Sequence, residues 1–288
     1  MTAPSGQPHF SHCAALVRTA DRDRYLATLF APADKRDALH ALYAFNLEVG
    51  RVGAAVREPM AGEIRLQWWR EIVSGEREGE AAANPVAAAL RTAMLRYALD
   101  ADRLSALVDA HRRDLYEQRF NLLDDLDNHA ALTEAGVIAT AARILGARGP
   151  AVESLARHAG IAGLVARELI DLPQLAARRR LPIPSELLDR HDARREGVFA
   201  GQDDPQLRAA LAELRRHALR QLQAARLEAG EVPQAMLPVL LPLAPRAVEL
   251  RRMERRGYEP FAPEPLSRLR RQWLIWRASR DPARIFAN

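Results

Sequence analysis

The stretch YLATLFAPADKRDALHALYAFNLEVGRVGAA, Tyr25 to Ala55, decides the fold class. From Asp34 onward it is rich in Ala and Leu, residues that lose little on entering a helix, and no proline interrupts it before Pro59. Asp34 is placed to cap a helix running to about Arg57. Glu58-Pro59 then ends it, because a residue before proline is pushed out of the helical region. The rest of the chain reads the same way. Thr, Ile, Tyr and Phe are scarce and the alternating pattern of strands is missing. The expectation is one all-α domain over residues 21–280, behind a flexible N-terminus of residues 1–20.

Other helical runs follow from caps and periodicity. One spans about Glu63 to Val73 and stops at Gly75; Asn84-Pro85 opens the next, with a capping side chain followed by proline at the first helical position. Leu104, Leu107, Val108, His111 and Leu115 then recur at three and four residues, one apolar face of a helix. Further runs cover about Asp125 to Leu145, Ala151 to Leu172, Pro205 to Glu228, a proline-broken stretch from Pro233 to Met253, and Pro265 to Ala278. Gly75 to Ala82 and Arg190 to Pro205 read as loops.

Composition narrows the function. The chain has 288 residues, 48% hydrophobic and 27% charged, enough to bury a sizeable core and unlike a disordered protein. Its longest apolar run, Met236 to Val248, is broken by Pro238, Pro242 and Pro245, well short of the ~20 residues that cross a bilayer. A single cysteine, Cys13, excludes an intrachain disulfide and a cysteine zinc cluster. The net charge is +5, but Arg alternates with acids at helical spacing, as in RRHALRQLQAARLEAGE. That is a solvated helix face, and no nucleic-acid partner is expected. MTAPSGQPHFSHC has neither the basic start nor the apolar stretch of a secretory signal. The expected location is cytoplasmic, peripheral on the inner membrane of a bacterium, or on the matrix side of a mitochondrion. The short, Arg-free leader favours the bacterial case.

Chemical motifs are few. There is no HExxH, GxSxG, CxxC or phosphate-cradling glycine loop. His111, His129 and His158 lie in separate runs without metal-ligand spacing and read as core or surface histidines. Asp124-Asp125-Leu126-Asp127 looks like a metal motif, yet acids at a helix start are what capping and the helix dipole favour.

Tyr25–Ala55, RRDLYEQRF (Arg112 to Phe120) and GLVARELIDLPQLAARRRLPIPSELL (Gly163 to Leu188) together resemble the squalene/phytoene synthase family of head-to-head prenyl diphosphate condensing enzymes. The resemblance implies an isoprenoid-synthase-like helical bundle around a central cavity. In those enzymes two helices each carry aspartates one turn apart. Carboxylates at i and i+4 share a helix face, and two such faces can hold Mg²⁺ ions that bridge a substrate diphosphate.

Here that arrangement is broken. The positions matching the first aspartates are Gly50, Arg51 and Ala54, and Glu48 lies on another face. The arginine expected to contact diphosphate falls on Leu47. In the second region Asp171 matches the first aspartate but its partner is Leu175, and the preceding amides match Leu164 and Arg167. Tyr43, Asp171, Arg178 and Arg179 remain, by resemblance, as substrate-binding residues of a remnant cavity. No catalytic residue and no metal ligand is assigned.

AFNLEV, IRLQWWRE (Ile64 to Glu71), NPVAAAL (Asn84 to Leu90), RRRLPIPSELL and RQWLIWRAS (Arg271 to Ser279) resemble a degenerate branch of the family, typified by a mitochondrial complex I assembly factor. The branch implies a non-catalytic protein that assists complex I assembly, with complex I subunits or assembly factors as partners and no cofactor. Two alternatives stay open. One is a prenyl transferase that uses Mg²⁺ on farnesyl or geranylgeranyl diphosphate; the other is a protein holding a prenyl lipid or quinone without turnover.

Three further features carry expectations. Trp68-Trp69 reads as one ring in the core and one at its edge. Arg178 to Arg180 reads equally as a grip on an anionic head group or as a solvated basic turn. The final run joins Trp273 and Trp276 to several arginines, a pattern compatible with peripheral membrane contact, and its apolar residues are expected to pack inward.

Overall fold

In the computed structural model, which describes residues 8–116 and 118–286, every regular element is helical. In chain order these are α1 (Pro8–Ala20), α2 (Arg22–Thr28), α3 (Ala33–Ala55), α4 (Pro59–Ser74), α5 (Glu78–Ala83), α6 (Pro85–Tyr97) and α7 (Ala101–Ala110). After a 3₁₀ turn at His111–Leu115 come α8 (Leu123–Ala130), a π turn at Ala131–Ala135, α9 (Gly136–Ile144), α10 (Pro150–Ile170), α11 (Leu172–Ala177), α12 (Ser185–Arg190) and α13 (Arg195–Phe199). The chain closes with α14 (Pro205–Glu228), α15 (Leu237–Leu240), α16 (Leu243–Arg252) and α17 (Arg268–Arg280).

Local chemistry sets most boundaries. Asn84 Oδ1 accepts from the Val86 and Ala87 amides at 2.9 and 3.0 Å, with Pro85 at the first helical position of α6. Asp204 Oδ1 does the same for Leu207, at 2.7 Å, with Pro205 opening α14. Gly75 ends α4 in the left-handed region at φ +90°, where glycine carries no Cβ penalty. Asp34 is not a cap: Pro32 takes that position and Asp34 sits in the first turn of α3, where its charge still favours the helix dipole. The stretches read as loops hold two short helices, α5 and α13.

The described chain divides into two compact units, each drawn from three separate segments. The first gathers the chain up to Gln118, Gly136–Glu153 and Val232–Leu241; the second gathers Arg119–Ala135, Ser154–Glu231 and Pro242 onward. The division therefore does not fall between a tail of 1–20 and a domain of 21–280.

In the first unit α3 is the centre, touching α1, α4, α6, α9 and the His111–Leu115 turn. Leu39, Leu42, Phe45 and Val49 are fully buried, and the Phe45 ring meets Trp69 edge-on at 5.2 Å between centroids. The partner Trp68 stays at the rim, where its Nε1 donates to Glu80 Oε2 at 2.9 Å. The N-terminus corrects the expectation of a flexible tail. Residues 8–20 form α1, which packs on α3 and α6 and buries Cys13 and Val17 completely. Its apolar residues were too interspersed with histidine and threonine to announce a packed face. Residues 1–7 lie outside the described residues.

In the second unit α14 packs against α12 and α16, and α17 packs against α16. Gly160 on α10 lets the π turn approach: a Cβ there would stand 2.4 Å from the Ala135 amide nitrogen. The expectation that the apolar residues of the last run pack inward is wrong for three of them. Leu266 is buried, and α17 itself turns Ile275 and Ala278 inward, whereas Leu269, Trp273 and Trp276 are 80%, 47% and 49% exposed. No described helix is long and apolar enough to cross a membrane.

Candidate functional site

The first helix face of interest belongs to α3. Gly50 and Gly53 lie about one turn apart, and the His111–Leu115 turn is seated over them. A Cβ on Gly50 would be 3.6 Å from His111 Cε1, and one on Gly53 would be 2.9 Å from Asp114 Cβ and 3.1 Å from its carbonyl oxygen. The turn is braced from within by His111 Nδ1 and Asp114 Oδ2 at 3.0 Å. On α4, Gly62 plays the same part beneath Leu115, whose Cδ2 would lie 2.2 Å from an added Cβ. The turn thus packs closely on Gly53 and Gly62, while Gly50 stays exposed and meets His111 at ordinary contact distance. Arg51 and Ala54 are exposed.

The second face belongs to α10. Leu164 is buried as an ordinary core residue. Arg167 Nη1 lies 3.3 Å from Glu134 Oε2 on the π turn, and its Nη2 lies 3.8 Å from Glu168 Oε1. Asp171 sits half-buried where α10 passes into α11, and its side chain makes no capping bond there. Arg178 and Arg179 end α11, seven and eight residues on, so at 1.5 Å per residue they lie roughly 10 Å along the axis from Asp171. Arg179 takes a left-handed φ of +56° and stacks its guanidinium 5.0 Å from the centre of the Phe199 ring. The acid and the two arginines therefore occupy opposite ends of a short helix.

Tyr43 belongs to the first unit. It is 4% exposed on α3, with the buried Arg24 guanidinium 5.2 Å from its ring centre. That pairing, with Asp21 Oδ2 at 3.4 Å from Arg24 Nη1, was not visible in the sequence. A short charged helix, RDRY, gives no sign that its arginine turns inward onto an aromatic ring.

The acidic stretch after Leu123 is structural. Asp125 Oδ2 accepts from the Asn121 and Leu122 amides at 3.1 and 2.9 Å, and Asp127 Oδ1 lies 2.8 Å from His217 Nε2. Of the other histidines read as core or surface groups, His158 Nδ1 meets Gln221 Oε1 at 2.6 Å, and His129 lies against Phe120. Among the described residues no group of three or more His, Cys, Asp or Glu side chains is placed to hold a metal ion. The residues do not fit a Mg²⁺–diphosphate centre: the matching positions on α3 are the exposed Gly50, Arg51 and Ala54, which bear no carboxylate, and the other face carries a guanidinium engaged with carboxylates.

The second unit does hold a pocket of about 350 Å³, lined by Ile170, Arg252, Met253, Arg255, Arg256 and Tyr258 among others. None of Asp171, Arg178 and Arg179 lines it. Burial pushes the Tyr258 hydroxyl above its ordinary value, so it stays protonated.

Residues 17–277 match the squalene/phytoene synthase family. The chain belongs to that family. Among curated relatives, the human NADH dehydrogenase (ubiquinone) complex I, assembly factor 6, is 27% identical over 258 residues, covering 90% of this chain and 77% of that protein. Its Drosophila melanogaster homologue is 28% identical over 255 residues, covering 86% and 76%. Among solved structures, a dehydrosqualene synthase in complex with ligand superimposes with a TM-score of 0.79 at 16% identity, over 94% of this chain and 95% of its own. The fold of this squalene/phytoene synthase family member is therefore the expected all-α, isoprenoid-synthase-like one.

Proposed function

We propose that this protein is a non-catalytic member of the squalene/phytoene synthase family that assists assembly of respiratory complex I, the NADH:quinone oxidoreductase. The observation that carries the reading is what stands at the metal-matching positions: Gly50, Arg51 and Ala54 are exposed on α3 without a carboxylate among them, Leu175 stands where a second acid would follow Asp171, and Arg167 is engaged with Glu134. A diphosphate leaving group needs cations to stabilise the charge it develops. Glycine, arginine and alanine on α3, and leucine and arginine on the second face, supply no carboxylate pair for them. The relatives named as assembly factors run along most of the chain and add support.

On this reading the partners are complex I subunits or other assembly factors, met at the inner membrane. No Mg²⁺ is required, and Tyr43, Asp171, Arg178 and Arg179 take no part in turnover. The test is deletion of the gene, followed by measurement of NADH:quinone oxidoreductase activity and of assembled complex I in membranes. Specific loss, restored by the wild-type gene and equally by an Asp171→Ala version, is expected. Normal complex I in the deletion strain, or Mg²⁺-dependent pyrophosphate release from farnesyl or geranylgeranyl diphosphate by the purified protein, overturns the proposal.

A further inference from the structure

Helix α17 faces two ways. Ile275 and Ala278 are buried, and Arg271, on the same side, is bonded to the buried Glu249 of α16. At 100° per residue, Leu269, Trp273, Trp276 and Arg280 fall within about 60° of one another on the opposite side. Three of these are large apolar side chains lying open: Leu269 at 80%, Trp273 at 47% and Trp276 at 49% exposure. An exposed apolar stripe of this kind marks a surface that something covers.

The charge around the stripe says what covers it. Arg268 and Arg270 flank it at one end and Arg277 and Arg280 at the other, and the helix contains no acidic residue. Arg277 lies 4.9 Å from the Trp273 ring centre and Arg280 lies 5.9 Å from that of Trp276, so each indole has a cation beside its ring. Indoles with an apolar body and a polar N–H, bordered by long basic side chains, suit the boundary between acyl chains and anionic head groups. A protein groove suits this stripe less well, since insertion would remove the flanking arginines from water without matched acids.

We infer that the outward face of α17, formed by Leu269, Trp273 and Trp276 with Arg268, Arg270, Arg277 and Arg280, docks the protein peripherally on an anionic lipid bilayer. The inference is independent of the complex I reading, because it concerns the surface and not the cargo. The test uses the purified full chain with vesicles of phosphatidylcholine alone or enriched in phosphatidylglycerol. Sedimentation with the anionic vesicles, a blue shift of tryptophan emission and release by salt are expected, with little binding to phosphatidylcholine alone. Trp273→Ala/Trp276→Ala is expected to weaken partitioning at least about tenfold, and each of Arg268→Gln and Arg270→Gln about fivefold, with circular dichroism unchanged.

The wild-type comparison of the two vesicle types stands even if the tryptophan variant fails to fold. Absence of vesicle binding, equal binding to both vesicle types, or undiminished binding by correctly folded variants overturns the inference. So does saturable binding of these same residues to an acidic protein surface in the absence of any vesicle association.

Discussion

His40 makes stability depend on pH in a way that can be worked out from its surroundings. It lies on α3 at 6% exposure, stacked on Tyr25 with ring centroids 5.5 Å apart, and among the described residues neither ring nitrogen has a hydrogen-bond partner. Burial, with Arg36 adding repulsion one turn earlier, pushes the imidazole from 6.5 down to about 4. The unfolded chain therefore binds a proton between those values that the folded protein excludes, and stability must rise with pH across that window. The contribution is fully present above about pH 6.5 and is lost as pH falls towards 4.

Moving from about pH 7.5 to about pH 5 costs about 2 kcal/mol from this one group, a large part of the ~5–15 kcal/mol by which domains are stable. The perturbation is His40→Leu, which removes the titrating group and its two buried nitrogens while keeping most of the volume. Urea unfolding of both proteins at the two pH values, followed by circular dichroism, measures the difference. The variant is expected to match or exceed the wild type near pH 7.5 and to lose about 2 kcal/mol less on acidification. Equal losses in the two proteins would refute the argument, since the proton would then be taken up elsewhere.

Other outcomes can be checked more simply. Gly160→Ala places a Cβ 2.4 Å from the Ala135 nitrogen and 2.6 Å from its Cα, both backbone atoms, so it should destabilise by about 1–3 kcal/mol and lower the melting temperature. Cys13 is fully buried, and burial, with Glu48 and Asp37 nearby, pushes its thiol up to about 12. Iodoacetamide at mildly alkaline pH should therefore leave the native protein unmodified by intact mass and label it once urea unfolds it. Gly50→Asp/Ala54→Asp returns carboxylates to α3, but position 50 meets His111 and α10 still presents Arg167. That variant should release no pyrophosphate from farnesyl diphosphate with Mg²⁺.

Most of the helix inventory was legible in the sequence because capping is local. Asn84 and Asp204 bond amides two or three residues away, and Pro85 and Pro205 fix the turns that follow, so nothing distant is needed to place α6 and α14. Where a cap could be chosen by geometry alone, as between Pro32 and Asp34, the sequence reading was off by two residues. The loss of carboxylates at Gly50, Arg51, Ala54 and Leu175 was equally legible, being a matter of residue identity.

What those losses became was not. That Gly50 and Gly53 receive a turn sixty residues further along the chain, and that Arg167 answers Glu134, depends on contacts between segments that no local pattern couples. The orientation of helices bearing apolar residues on more than one side is of the same kind. In α17 both Ile275 and the pair Trp273 and Trp276 recur at helical spacing, and periodicity shows which residues share a face without showing which face is covered. The same holds for α1, whose burial of Cys13 follows from α3 and α6 lying against it. The sequence by itself determined the helical class, the Asn84 cap and the missing acids, because these depend on short-range bonding and on residue identity. Only the tertiary structure decided which faces are buried, which charges are paired and which indoles face outward, because those depend on what long-range packing leaves accessible to water.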